Sequence, residues 1–144
     1  MAKRYERVHT ITDYWDQPRG GVADFRGSPH VYRSVFDESG DAWSDVCVLS
    51  PVDSETFQLA LEDREIFLRW RRAFEGGQTS QNTYPALPHD QRRHEAVKTL
   101  LAERLVIDPA KAVRAKSEFR AEPDSDTASP DTKKWQVCWS VLKE

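Results

Sequence analysis

The sequence predicts an α+β protein: an antiparallel sheet of about six strands packed on two helices, in the order ββββααββ. Three patterns predict it. Strand-like runs parted by turn chemistry fill the first third, helical periodicity fills the middle, and alternation with a period of two returns at the end.

The first strand lies over residues 5–11, which alternate in polarity. A short apolar run over 22–25 gives a second, 30–36 a third rich in β-branched and aromatic residues, and 43–49 a fourth ending in Val46, Cys47, Val48 and Leu49. The separators are 16–21 (Asp-Gln-Pro-Arg-Gly-Gly), 26–29 (Arg-Gly-Ser-Pro) and 37–41 (Asp-Glu-Ser-Gly-Asp), all rich in turn formers. Short turns join antiparallel neighbours, so this part reads as a four-stranded meander with its longest connection first.

Pro51 ends the fourth strand, and Asp53 or Ser54 caps a helix that runs to about Phe74 and stops at Gly76 and Gly77. At 100° per residue its apolar side chains cover more than half the circumference, so the helix belongs at the centre, across the sheet. Asp63, Arg64 and Arg71 fall inside that apolar arc, and must pair at the core edge, line a cavity, or snorkel to the rim. After a polar connector over 76–88, Pro88 opens a second helix to about Leu105 with Val97, Leu100, Leu101 and Leu105 inward.

Val113, Ala115, Ser117, Phe119 and Ala121 then alternate with charged residues, and the last strand sets Trp135, Val137, Trp139 and Val141 on one face. The acidic stretch 122–132 between them has nothing large to pack, which predicts a mobile hairpin tip. With 144 residues, 38% hydrophobic content and 15 aromatic residues, the chain has the means to build one core, and 1–144 is expected to form a single domain in which the meander and the C-terminal hairpin make one curved sheet, rolled toward a half-barrel with the first helix against its concave face.

Composition excludes several classes. No run approaches the ~20 apolar residues of a membrane span and no export leader is visible, so a cytoplasmic location is expected. Two cysteines, Cys47 and Cys138, make neither a disulfide framework nor a zinc pattern. The four histidines, His9, His30, His89 and His94, lack metal-ligand spacing, and no metal or cofactor is expected. Arg19-Gly20-Gly21 is not a phosphate loop, and neither cysteine has an evident base beside it. Arg114, Lys116 and Arg120, with Arg92, Arg93, Lys98 and Arg104, outline a basic surface near Trp135 and Trp139. Interleaved acids and a net charge of −3 argue against nucleic acid as the partner.

The densest concentration of chemistry lies over 13–21, followed by Asp24 and His30. Tyr14, Trp15, Arg19, Gly20 and Gly21 form the candidate binding set, with Arg19 gripping a polar group, Trp15 stacking on it and the glycines letting backbone N–H groups approach. The plainer reading is an ordinary β-connection in which Asp16 fixes the turn and the aromatics pack. An acid–base set drawn from Asp16, Asp24 and His30, with Arg19, is the catalytic alternative. A third class rests on the acids Asp37, Glu38, Asp41, Asp45, Asp53, Glu55, Glu62 and Asp63, which no Lys or Arg interrupts, and which suit a basic partner.

The segments TDYWDQPRGGVADFRGSPHVYRSVFDE and LSPVDSETFQLALEDREIFLRWRRAFEGGQT resemble those of small bacterial proteins with no assigned activity. The resemblance spans roughly the first 80 residues. It implies a compact bacterial cytosolic protein and transfers no functional residue. The sequence thus favours a non-catalytic binding domain that engages a protein partner or small polar ligand through 13–21, the alternative being a small enzyme. It leaves the oligomeric state open.

Overall fold

The computed structural model describes residues 3–123 and 132–142. The mobile tip expected over 122–132 falls mostly outside the described residues. The chain divides into two compact units, Met1–Asp53 with Ile107–Glu144, and Ser54–Val106. Among the described residues no helix is long and apolar enough to cross a membrane.

The first unit holds six antiparallel strands: β1 (Glu6–Tyr14), β2 (Pro18–Phe25), β3 (Ser28–Asp37), β4 (Ala42–Pro51), β5 (Val113–Ala121) and β6 (Trp135–Val141). Each pairs with the next in sequence, and β6 returns to β1 through Glu6 opposite Val137 and Arg7 opposite Gln136. The sheet is therefore a closed barrel, which corrects the half-barrel expectation. The concave face that was to receive the first helix is the barrel's own interior. Closure satisfies the two outer edges that an open meander leaves bare.

Period-two alternation fills that interior. Ala23 and Phe25, Tyr32, Cys47 and Leu49, Ala115 and Val137 point inward with Val8, and Ile11, Val113, Phe119, Trp135 and Trp139 pack against them. Tyr32, Phe119 and Trp139 form a triangle of rings whose centroids lie 5.8–6.1 Å apart. Trp135, Val137 and Trp139 face inward as the alternation predicts, while Val141, at the strand's end, is exposed.

The β1–β2 ladder departs from a regular register between Val8 and Thr10 and again beyond Ile11. Gly21, at φ 150°, sits opposite Ile11, and a Cβ on it would lie 2.1 Å from the Thr10 carbonyl oxygen. Only glycine permits this approach, which is the usual meaning of a glycine at a bulge. Thr10 Oγ1 accepts the Val22 N–H across the same place, at 2.9 Å.

The second unit contains α1 (Ser54–Glu75) and α2 (Gln91–Arg104), the latter preceded by a 3-10 turn, Pro88–Asp90. Thr56, Leu59, Ala60, Ile66 and Trp70 form the buried stripe of α1 at helical spacing. Gly77, at φ 73°, ends the helix as expected and lets the Gln78 N–H reach the Ala73 carbonyl at 2.8 Å. The helices are joined by Arg69 on Asp90 (both bonds 3.0 Å), Arg93 on Glu62 and Arg104 on Glu55. The three charges inside the apolar arc of α1 take separate partners. Asp63 faces His94 Nδ1 at 3.4 Å, an ion-pair distance; Arg64 lies over the Phe67 ring; and Arg71 Nε is 3.0 Å from Glu75.

Candidate functional site

In an up-and-down meander the β1–β2 and β3–β4 turns fall at the same end of the sheet. That end carries the candidate site. The connection expected over 16–21 shortens to residues 15–17, because β1 runs on to Tyr14 and β2 begins at Pro18. Pro18 there needs no N–H for the ladder, and Gly20 and Gly21 are buried strand residues. Gly21 has the packing role described above, and Gly20 lies 3.4 Å, at a built Cβ, from the Asp13 side chain.

Counting back from Ala23 by twos brings Gly21 and then Arg19 to the inward face, at the end of the barrel. Arg19 is 5% exposed. Its Nε and Nη2 donate to Asp16 Oδ1 at 3.0 and 2.7 Å, and Nη1 donates to the Ser44 carbonyl at 2.9 Å. The guanidinium also lies 5.7 Å from the centre of the Trp43 ring. These hydrogen bonds hold the Asp16 carboxyl below the usual carboxylate range. A buried guanidinium with three of its donors engaged is a structural anchor first, and its grip on Asp16 sets the shape of the turn.

Around this anchor lies an open concavity of about 450 Å³ lined by Trp15, Asp16, Arg19, Phe36, Asp41 and Trp43. Trp15 is 75% exposed and Phe36 43%. Phe36 meets Trp43 edge to face, centroids 5.1 Å apart. Across the β3–β4 turn, Asp37 accepts from Ser39 N and Oγ and from Gly40 N, and the Ser39 hydroxyl's bond in particular holds its carboxyl low. Asp41 sits at φ 50°, its N–H bonded to the Glu38 carbonyl.

Below the mouth one polar contact lies among the buried residues. Ser34 Oγ approaches Cys47 Sγ at 3.7 Å, and burial pushes the Cys47 thiol up, away from the thiolate a nucleophile needs. Tyr14, at the end of β1, leans on Trp135, with ring centroids 6.1 Å apart.

The structure brings Trp15, Asp16 and Arg19 together and places Asp24 and His30 elsewhere. Asp24 lies five residues further along β2, about 16 Å away at ~3.3 Å per residue. Its carboxylate accepts from His9 Nε2 at 2.9 Å, a partner that sequence spacing did not suggest. His30 donates Nδ1–H to the Ser28 carbonyl and sets its ring edge to face with Phe25. Among the described residues no three His, Cys, Asp or Glu side chains converge as a metal set. Trp135 and Trp139, weighed as platforms beside the basic row, face the barrel interior.

Phe36 and Trp43 were not singled out from sequence, and Asp41 figured only in the acidic run 37–63. The signal was present: Phe36 and Trp43 flank a turn that a meander must place beside residues 15–17. Comparison with known proteins returns no matching family model, no matching curated protein and no matching solved structure.

Proposed function

We propose that this chain is a non-catalytic binding module, and that its site is the barrel mouth bounded by Trp15, Asp16, Arg19, Phe36 and Trp43. One observation carries the reading: a largely exposed indole stands on a three-residue turn beside a concavity walled by two more aromatic rings. Small turns ordinarily carry small polar residues. Covering a large aromatic side chain contributes roughly 2–3 kcal/mol, which supports its use as a contact for a ligand or a protruding partner group. The anchoring of Arg19 supports the same reading, because it makes the mouth a preformed shape.

Saturation-transfer NMR with a mixture of small polar metabolites tests it, run on the wild type and on Trp15→Ala. The substitution spares the fold, since the indole packs on little. Signals attenuated by the wild type are expected to recover in the variant. Equal attenuation by both proteins, or none by either, would remove the mouth as a site for small polar metabolites.

A further inference from the structure

The lining of the mouth also specifies what it takes. Two carboxylates and one guanidinium line it, leaving one negative charge in excess. The guanidinium is already matched: Arg19 spends two donors on Asp16 and a third on the Ser44 carbonyl. Among the described residues Asp41, which also lines the mouth, makes no ion pair or side-chain hydrogen bond. The turn beside it adds Asp37 and Glu38, and no Lys or Arg follows until Arg64. Arg33 is on β3, but the residues on either side of it, Tyr32 and Ser34, are the buried ones, so it projects outward. The lining itself is therefore net negative, which disfavours phosphate and carboxylate groups.

The aromatic walls narrow the choice further. Trp15 is 75% exposed and has no ring partner among the described residues, and Phe36 meets Trp43 edge to face. Aromatic faces attract a soft, weakly hydrated organic cation and offer nothing to a hard metal ion, which needs several oxygen ligands. The site already shows this chemistry once, with the Arg19 guanidinium over Trp43.

We propose that the mouth seats an alkylammonium group between Trp15 and Phe36, with Asp41 as its counter-charge. This rests on the reading of the mouth as a binding site. The same chemistry reaches it from a free small amine or from the modified lysine side chain of a protein partner.

The test is calorimetric titration of the full chain with choline and with its neutral isostere 3,3-dimethylbutan-1-ol, repeated with a trimethyl-lysine peptide. Choline is expected to bind about tenfold more tightly than the isostere. Asp41→Asn should erase most of that preference, and Trp15→Ala should abolish binding of either compound. Asn tolerates the left-handed backbone at this position, so the first variant keeps the turn, which near-ultraviolet circular dichroism verifies. Peptide binding tighter than choline assigns the cation to a protein partner, and the reverse order assigns it to a free amine. Equal binding of choline and the isostere, lost in Trp15→Ala, would overturn the cation proposal while leaving the mouth as a site. Absence of any binding here, beside other metabolites that lose their NMR attenuation in Trp15→Ala, would do the same. Absence in both experiments would overturn both.

Discussion

Each unit is held by an arginine–aspartate pair, and the two pairs are buried in opposite senses. At the barrel mouth the arginine is hidden and the aspartate stands in solvent: the Arg19 side chain is 5% exposed and that of Asp16 61%. Between the helices the aspartate is hidden, Asp90 at 10%, and Arg69 is 42% exposed. The difference decides what is left behind when a pair is broken. Without Asp16, the Arg19 guanidinium keeps only the Ser44 carbonyl and a ring face. Without Arg69, Asp90 still sits at the start of α2, where the helix dipole favours a negative charge. The mouth pair has less to fall back on.

The largest effect should come from the frame beneath the mouth. Gly21→Ala puts a methyl group against the Thr10 carbonyl at a φ that L residues rarely adopt, and should cost about 3 kcal/mol or more in urea unfolding. A loss under about 0.5 kcal/mol would mean that the bulge yields easily and that the position of Arg19 does not depend on it. Next, Asp16→Ala should cost about 2 kcal/mol, for orphaning a buried guanidinium, against about 1 kcal/mol for Arg69→Ala. Equal costs would break the comparison. Arg19→Ala, which a purely ligand-facing arginine would tolerate, is expected to lower stability as well.

Acid provides a finer test. Asp16 and Asp90 are both held below the usual carboxylate range, chiefly by their arginine partners. The stability they contribute is complete above the unfolded value near 3.9, and is lost as the pH falls through their lower folded values. Unfolding midpoints followed downward from about pH 5 should fall less steeply in Asp16→Asn, Asp90→Asn than in the wild type. Asp63 has the opposite sign. Burial pushes its carboxyl up, so its contribution is lost as the pH rises through the raised folded value. Asp63→Asn should therefore raise stability at pH 7, by under about 1 kcal/mol, and a decrease would show that the His94 contact outweighs desolvation.

Much of this architecture was legible because local chemistry and global structure agree. The helix from Ser54 ends at its glycine pair, and the alternation of Val113 through Ala121 and of Trp135 through Trp139 marks the inward face correctly. Barrel closure was not legible. It depends on Glu6 and Arg7 finding Val137 and Gln136, and no periodicity records a pairing between strands so far apart in sequence. Residues 16–21 were misjudged for a specific reason. Pro-Arg-Gly-Gly is turn chemistry taken alone, yet the proline starts a strand, the arginine faces inward and Gly21 is required by the neighbouring strand. Trp15, Asp16 and Arg19 could be picked out by type. Joining them to Phe36, Asp41 and Trp43 needed the step from four strands to which turns share an end.

Closure has one more consequence. Because every strand lies beside the next in sequence and the sixth lies beside the first, the order around the barrel is cyclic, like beads on a ring. No strand is topologically first. A rearranged gene that began at β3 and ended at β2 would specify the same six ladders, so the architecture constrains the neighbours of each strand and leaves the starting point of translation free.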